Sequence, residues 1–331
     1  MKHRPDPLSH RPYQLAICGV TVAVMAGLAW LSSVPSKAPV QAADVAPSTS
    51  ESNSQESIRR METLFREASR GEKVVTPSEA ELRAVTGLFR RTLIQKEEFS
   101  ALRAAWSEWN MTLTNIEEGR QSFWLLRENA DSQSGRGIFA FRSATAIDLA
   151  LQAPHSGFDQ HTGEIVIRLF AEHPVRCAAW NTLPRKMIDL AHTGETYFQA
   201  FTRAIGESQP NLLVAQIHGF DERKRETKDG ERASLILSNG TEKPADWFLK
   251  AATAFRQKLS DETVSLYPFD VRELGGTTNV QGRQLQQLGD RNFLHAECNR
   301  NLRQRLHTDQ PARAEFMDCF RELLRIKSNR Q

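Results

Sequence analysis

The pattern of hydrophobic and polar positions divides the chain into four regions. Residues 15–34 are an apolar run without a charge, and at about 1.5 Å per residue such a run crosses the roughly 30 Å hydrocarbon layer of a membrane. Residues 35–55 are rich in Ser, Ala and Pro, which predicts a disordered tether. Residues 56–119 repeat apolar positions at helical spacing, and residues 120–331 alternate short apolar runs with helical patterns.

The helical region contains Ile58, Met61 and Phe65 on one helix face, and a capping box with Pro77 at the first helical position opens a second helix. We expect residues 56–112 either to pack on the main domain or to bind a protein partner.

The alternating region predicts an α/β fold, a mixed sheet flanked by helices. The expected strands are 137–142, 147–153, 175–180, 212–217, 233–237 and 292–296, and the expected helices are about 164–172, 192–206, 244–259 and 312–326.

Charge asymmetry orients the apolar run. Lys2, Arg4 and Arg11 precede it, whereas the residues after it become acidic from Asp44 onward. The positive-inside rule therefore predicts a cytoplasmic N-terminus at 1–14, followed by a single-pass transmembrane signal-anchor. The remainder would then lie in the periplasm, or outside the cytoplasm more generally.

Two features are left open by the sequence. Val40-Gln41-Ala42 is an acceptable cleavage site, so the chain could instead be cleaved and secreted. Cys298 and Cys319 could form one disulfide, or the cysteines beyond the apolar run could all be buried thiols. The net charge of +3, with basic residues interspersed among acids, speaks against a nucleic-acid partner.

Two predicted strands end directly in histidine, at His155 and His218. Ligands gather at the carboxyl ends of strands in α/β sheets, so these imidazoles are expected to meet. Asp159 and Glu164 follow His155 and supply candidate carboxylates. Two histidines and one carboxylate leave an open position, which is the composition of a catalytic zinc site.

A hydrolase built on such a site needs a general base, and Glu297 at the end of the last predicted strand is the candidate. Arg185 is either a clamp for a substrate carboxylate or a solvated surface residue. His192 either supports the site or makes a hydrogen bond at a helix start. The glycine-rich segment 274–282 is either a mobile loop over the site or an ordinary surface loop.

Three segments resemble zinc-dependent N-acetylmuramoyl-L-alanine amidases and the wider carboxypeptidase-like hydrolases: APHSGFDQHTGEIVIRLF, LLVAQIHGF and FLHAECNRNLRQRL. The first also resembles phage poly-γ-glutamate hydrolases. The resemblance implies that His155 and His218 are zinc ligands and that Glu297 is the base. The amidase comparison makes Glu164 the third ligand, although the interval from His155 is shorter than usual, whereas the phage comparison makes Asp159 the ligand.

The expected function is therefore an extracytoplasmic, zinc-dependent hydrolase that cleaves an amide bond in peptidoglycan or in a γ-glutamyl or peptide substrate. The alternative is a catalytically inactive, membrane-tethered scaffold or partner-binding protein of the same fold. A serine or cysteine hydrolase is disfavoured because no Gly-x-Ser-x-Gly elbow occurs.

Overall fold

A mixed β-sheet of nine strands carries the rest of the described chain. The computed structural model describes residues 49–71, 73–118, 121–143, 145–289 and 292–328. The strands are β1 Met111–Glu118, β2 Gln121–Glu128, β3 Ile138–Phe141, β4 Ile147–Ala153, β5 Val175–Trp180, β6 Leu213–Gly219, β7 Leu235–Ser238, β8 Val264–Leu266 and β9 Phe293–Cys298. The helices are α1 Thr49–Ala68, α2 Glu79–Ile94, α3 Phe99–Ser107, α4 Thr162–Glu172, α5 Tyr197–Ser208, α6 Lys228–Arg232, α7 Asp246–Lys258, α8 Val280–Gln287, α9 Arg300–Thr308 and α10 Gln310–Ser328.

The strand order is β1-β2-β3-β5-β4-β6-β9-β7-β8. Strands β5, β4, β6 and β9 are mutually parallel, while β1, β2 and β3 join β5 through antiparallel pairs. On the other side, β7 runs antiparallel to β9 and parallel to β8. The predicted α/β fold with a mixed sheet flanked by helices is confirmed. Because the four central strands are parallel, their carboxyl ends lie at the same edge of the sheet.

Helices cover both faces of the sheet. Alternate residues of one strand point to opposite faces and therefore enter two separate cores. Leu149 and Leu151 pack with α1, α4, α7, α9 and α10, whereas Ala150 packs with α2, α3, α5 and α8. The central strands are buried on both faces, as parallel strands covered by helices are. The polar side chains that serve the site lie toward the carboxyl ends of these strands.

The boundary predicted between a helical region and an α/β domain at 119/120 is wrong. Strands β1 and β2 form a hairpin at the edge of the sheet, and β1 begins inside the region expected to be helical. Its Met111 and Leu113 are buried, while Thr112 and Thr114 are half-buried, a two-residue alternation. The tether expected at 35–55 is also too long, because α1 already begins at Thr49.

The helical region packs on the main sheet. Phe89 of α2 is fully buried, with ring centroids 4.7 Å from Phe139 and 5.4 Å from Phe201. Glu81 Oε1 accepts hydrogen bonds from Tyr197 Oη at 2.7 Å and from Arg136 at 3.1 Å. The described residues accordingly form one compact unit.

Among the described residues, no helix has the length and apolar character needed to cross a membrane. The segments predicted as cytoplasmic (1–14) and transmembrane (15–34), with residues 35–48 of the tether, lie outside the described residues. Cys177, Cys298 and Cys319 are free, buried thiols, so the Cys298–Cys319 disulfide is not formed.

Candidate metal centre

The site begins where two neighbouring parallel strands end. His155 follows β4 by two residues, and His218 lies in β6, so strand pairing brings their imidazoles together. Their Nδ1 atoms are 3.2 Å apart, and both side chains are buried. Asp159 Oδ2 lies 3.2 Å from Nδ1 of His155 and 3.9 Å from Nδ1 of His218.

A tight turn returns Asp159 to His155. The backbone N–H groups of Phe158 and Asp159 both donate to the carbonyl of His155 at 2.9 Å. Asn181, at the end of β5, fixes the start of this turn, because its Nδ2 donates to the Pro154 carbonyl at 2.9 Å. The carboxylate of Asp159 is held in turn by the backbone N–H of Gly219 at 3.0 Å.

Hydrogen bonds on the far side of each ring fix the position of the imidazole protons. Nε2 of His155 lies 2.9 Å from Asp189 Oδ1, and a carboxylate oxygen only accepts, so Nε2 carries the proton. Nε2 of His218 lies 3.1 Å from Gln216 Oε1, which likewise accepts. In a neutral ring, Nδ1 of His218 is therefore an acceptor, whereas Nδ1 of His155 faces both this nitrogen and the carboxylate oxygen Oδ2 of Asp159, each at 3.2 Å.

This donor set fits a tetrahedral metal ion. Two imidazole nitrogens and one carboxylate oxygen converge here, and a metal ion could take the place of a proton on Nδ1 of His155. Zinc ligands at about 2.0–2.1 Å in tetrahedral geometry lie about 3.4 Å apart, close to the observed 3.2, 3.2 and 3.9 Å. Three protein ligands leave a fourth position open, as in catalytic zinc sites.

Glu164 does not join the two histidines; the carboxylate that approaches both of them is that of Asp159. Glu164 lies in the first turn of α4 and is not among the described residues that line the cavity at the site. The chain turns at His161, whose backbone is left-handed with φ 69°, before α4 begins. Glu164 instead lies near His307. Burial, followed by the charge of His161, lowers the pKa of His307, and the negative charge of Glu164 opposes this shift.

Asp189 is anchored from two further directions. Its Oδ2 accepts from Arg185 Nε at 3.0 Å, and its Oδ1 accepts from the backbone of Ala191 at 3.2 Å. Partial burial would raise the pKa of Asp189, but the hydrogen bond to His155 and the charges of His155 and Arg185 lower it overall. Asp189 therefore stays ionised and can polarise His155 toward a metal ion.

Glu297 lies beside the two histidines on β9, opposite His218 in the strand register. Burial, followed by the negative charge of Asp159, raises the pKa of Glu297 to about 8. Its Oε2 is buried without a hydrogen-bond partner among the described residues. A carboxyl group with a pKa near neutrality can both accept and release a proton, as a general base and acid must.

His295 shares the face of β9 that carries Glu297. Its Nε2 lies 3.7 Å from Glu297 Oε1, and its ring centroid lies 4.4 Å from that of His218. Burial, followed by the charge of His155, lowers the pKa of His295 to about 3. Gly276, with φ +59°, packs against this ring, since a Cβ there would lie 2.9 Å from it.

The site opens into a cavity of about 650 Å³. Arg185 and His192 line it together with Glu297, although His192 is exposed and precedes α5, which begins only at Tyr197. The helix that was expected to begin at residue 192 therefore begins five residues later. Thr196 caps it, because its side chain accepts a hydrogen bond from the backbone N–H of Gln199. Residues 274–279 of the glycine-rich segment line the cavity. The rest of the segment, residues 280–282, belongs to α8.

Three residues of the site escaped the sequence analysis: Asp189, Gln216 and His295. Gln216 and His295 each stand two positions before a predicted functional residue on the same strand, so strand alternation could have placed them on the same face. Asp189 lies in a loop, and no sequence pattern connects it to His155.

Several solved structures are similar to this chain. One is an N-formylglutamate amidohydrolase from Ralstonia eutropha, with a TM-score of 0.40 and 14% identity over 59% of this chain and 98% of that chain. Another is a zinc-free form of YNDL, with a TM-score of 0.34 and 13% identity over 77% and 98%. A third is a bacteriophage poly-γ-glutamate hydrolase, with a TM-score of 0.29 and 12% identity over 57% and 86%.

All three TM-scores lie below 0.5. No family model matches the chain, and no curated protein matches it.

Proposed function

We propose that this chain is a zinc-dependent hydrolase of amide bonds. The observation that carries the proposal is the convergence of two Nδ1 atoms and one carboxylate oxygen, from His155, His218 and Asp159, beside the buried carboxyl of Glu297. A structural zinc site would be closed by a fourth protein ligand, whereas this one faces a cavity.

A zinc ion held by these three residues would polarise a substrate carbonyl and lower the pKa of water to about 7. Glu297 takes a proton from the attacking water through its unpartnered Oε2. The new bond joins the water oxygen to the carbonyl carbon, and the carbon–nitrogen bond breaks. Glu297 then returns the proton to the leaving nitrogen, which departs as a neutral amine.

Arg185 and His192 act on the substrate from the cavity wall in this proposal. Arg185 is about one-third exposed; its Nε donates to Asp189 and its Nη1 lies 3.9 Å from Asp159 Oδ1, so a substrate carboxylate would be met by the exposed side of the guanidinium. His192 is exposed and can donate to an oxygen of the scissile group.

The substrate class follows from the sequence resemblance: an amide in peptidoglycan, or a γ-glutamyl or peptide bond. The charge asymmetry around residues 15–34 supports a membrane-anchored protein acting outside the cytoplasm.

A cysteine nucleophile finds no support in the described residues. Cys177, Cys298 and Cys319 are buried, and none lines the cavity. Burial raises the pKa of Cys298 to about 12, so its reactive thiolate is disfavoured.

The decisive experiment compares wild type with Glu297→Gln. This substitution keeps size and shape but removes the basic oxygen, so zinc content and melting temperature should change little. Hydrolysis of peptidoglycan fragments or γ-glutamyl peptides should fall at least about 100-fold. An unchanged rate would remove Glu297 from the mechanism. A wild type that binds zinc but hydrolyses neither substrate class would favour the scaffold alternative.

A further inference from the structure

A chain of fully buried side-chain amides lies behind His218. Gln216 is two residues earlier on β6 and therefore on the same face, and it pairs in register with Gln152 of β4. Its Nε2 donates to Gln152 Oε1 at 2.9 Å and to Gln281 Oε1 at 3.1 Å. Its Oε1 faces Nε2 of His218 at 3.1 Å and accepts from Asn279 Nδ2 at 2.6 Å.

The direction of this chain is fixed by a backbone carbonyl on one side. Gln281 Nε2 donates to the carbonyl of Leu190 at 2.8 Å, and a carbonyl oxygen can only accept. The Oε1 of Gln281 must therefore point the other way, toward Gln216. That oxygen requires a donor, so the amide nitrogen of Gln216 faces Gln281 and its oxygen faces His218.

A second carbonyl fixes the same direction independently. Thr202 Oγ1 donates to the carbonyl of Phe198 within α5 at 3.1 Å, so it accepts from Gln152 Nε2 at 2.9 Å. Gln152 Oε1 is then left to accept from Gln216. Both routes require Gln216 to present an oxygen, and not an N–H, to His218.

We propose that Gln216 is a positioning residue that fixes His218 as its Nε2–H tautomer, with the direction imposed by the carbonyls of Leu190 and Phe198. The inference deepens the proposed function, on which it rests for the metal site. A neutral imidazole that exchanged tautomers would present an N–H to the metal position part of the time. The amide chain excludes that state, so the bare Nδ1 is always directed at Asp159 and His155.

The tautomer can be measured directly in metal-free protein. Long-range proton–nitrogen correlation spectra of 15N-histidine-labelled protein in EDTA at pH 7.5 distinguish Nε2–H from Nδ1–H imidazoles, and His218→Ala identifies the signal. Wild type should show His218 as the Nε2–H form. An Nδ1–H form in wild type overturns the inference, whatever the behaviour of any variant.

Gln216→Met then tests causation. It keeps the length of the side chain but removes the acceptor, so His218 should populate both tautomers and the zinc Kd should rise about 10–100-fold, as when other supporting partners of ligands are lost. Gln284→Leu is the matched control: the side chain of Gln284 accepts from Gln199 Nε2 at 3.4 Å and has no hydrogen bond with Gln216 among the described residues, so the tautomer and the zinc Kd should stay at wild-type values.

The outcomes separate the two proposals. A Gln216→Met protein with an unchanged tautomer and a zinc Kd within about threefold of wild type overturns the role of Gln216. A wild type that shows the expected tautomer but binds no zinc supports the amide chain and overturns the proposed metal site.

Discussion

The Nδ1 atoms of His155 and His218 face each other at 3.2 Å, each with its N–H turned away toward a fixed acceptor. Two such nitrogens can share a proton or bind one metal ion. The second partners, Asp189 and Gln216, hold both nitrogens toward Asp159, and the proposed metal site rests on this arrangement.

The ligand assignment predicts opposite results for two carboxylates that are five residues apart. Asp159→Asn should lose bound zinc, because it replaces a charged ligand with a neutral amide. Glu164→Gln should keep one zinc ion per chain, because Glu164 does not line the cavity. Metal analysis of both purified variants tests this, with His155→Ala as a reference for complete loss. Zinc loss in Glu164→Gln alone would restore the amidase-type assignment.

Asp189→Asn should weaken zinc binding by about 10–100-fold without abolishing it. The asparagine can still accept from His155 Nε2, but the charge that makes the imidazole a stronger ligand is gone. Competition with a chromophoric chelator measures the Kd. Lys186→Gln is the matched control, because Lys186 is exposed in the same loop; equal affinities in the two variants would contradict the role of Asp189.

Stability should fall as the pH drops from about 6.5 to 4, partly through His173. Burial, followed by the charge of Arg321, lowers the pKa of His173 to about 4, and Arg321 donates to its Nδ1 at 3.3 Å. The unfolded chain therefore takes up a proton before the folded one does, and stability present at neutral pH is lost on acidification. Urea unfolding of His173→Asn at pH 7 and pH 5 should show a smaller loss than wild type. An identical loss in the two proteins would mean that other histidines account for the fall in the free energy of unfolding on acidification.

Phe89→Ala should destabilise the whole described unit by about 3–5 kcal/mol, as expected for a large core truncation. Phe89 packs across the boundary between the N-terminal helices and the sheet, so unfolding should remain a single transition. Arg83→Ala, at an exposed position of α2, should change stability by less than about 0.5 kcal/mol. Two separate transitions in chemical denaturation would show that the helices unfold independently.

The orientation of the chain in a membrane stays a prediction from residues 1–34. A reporter enzyme that is active only outside the cytoplasm should be active when fused to the C-terminus of the full chain, and inactive when residues 1–34 are removed. Activity of a cytoplasm-only reporter at the same position would reverse the assignment.

The sequence predicted the strands that are buried on both faces, because continuous apolar runs such as 147–153 and 175–180 have clear ends. It missed the three-residue β8. It also missed β1 and β2, whose alternating polar residues follow a helical stretch without a strong break. It placed His155, His218 and Glu297 correctly at strand ends. The choice between Asp159 and Glu164 depended on a left-handed turn at His161 that composition does not reveal.

The partners of the ligands could not be predicted in the same way. Gln152 and Gln216 meet only because β4 and β6 are neighbours in the sheet, and Gln281 reaches them from a helix much later in the chain. Their roles depend on strand register and on the direction of hydrogen bonds, neither of which a single sequence records.

Strand β9 lies between β6 and β7 in the sheet, although both precede it in the chain. During synthesis, the ribosome therefore completes all three proposed ligands well before it makes Glu297. If the proposed chemistry holds, hydrolytic capacity appears only after this last strand has been made and inserted between β6 and β7.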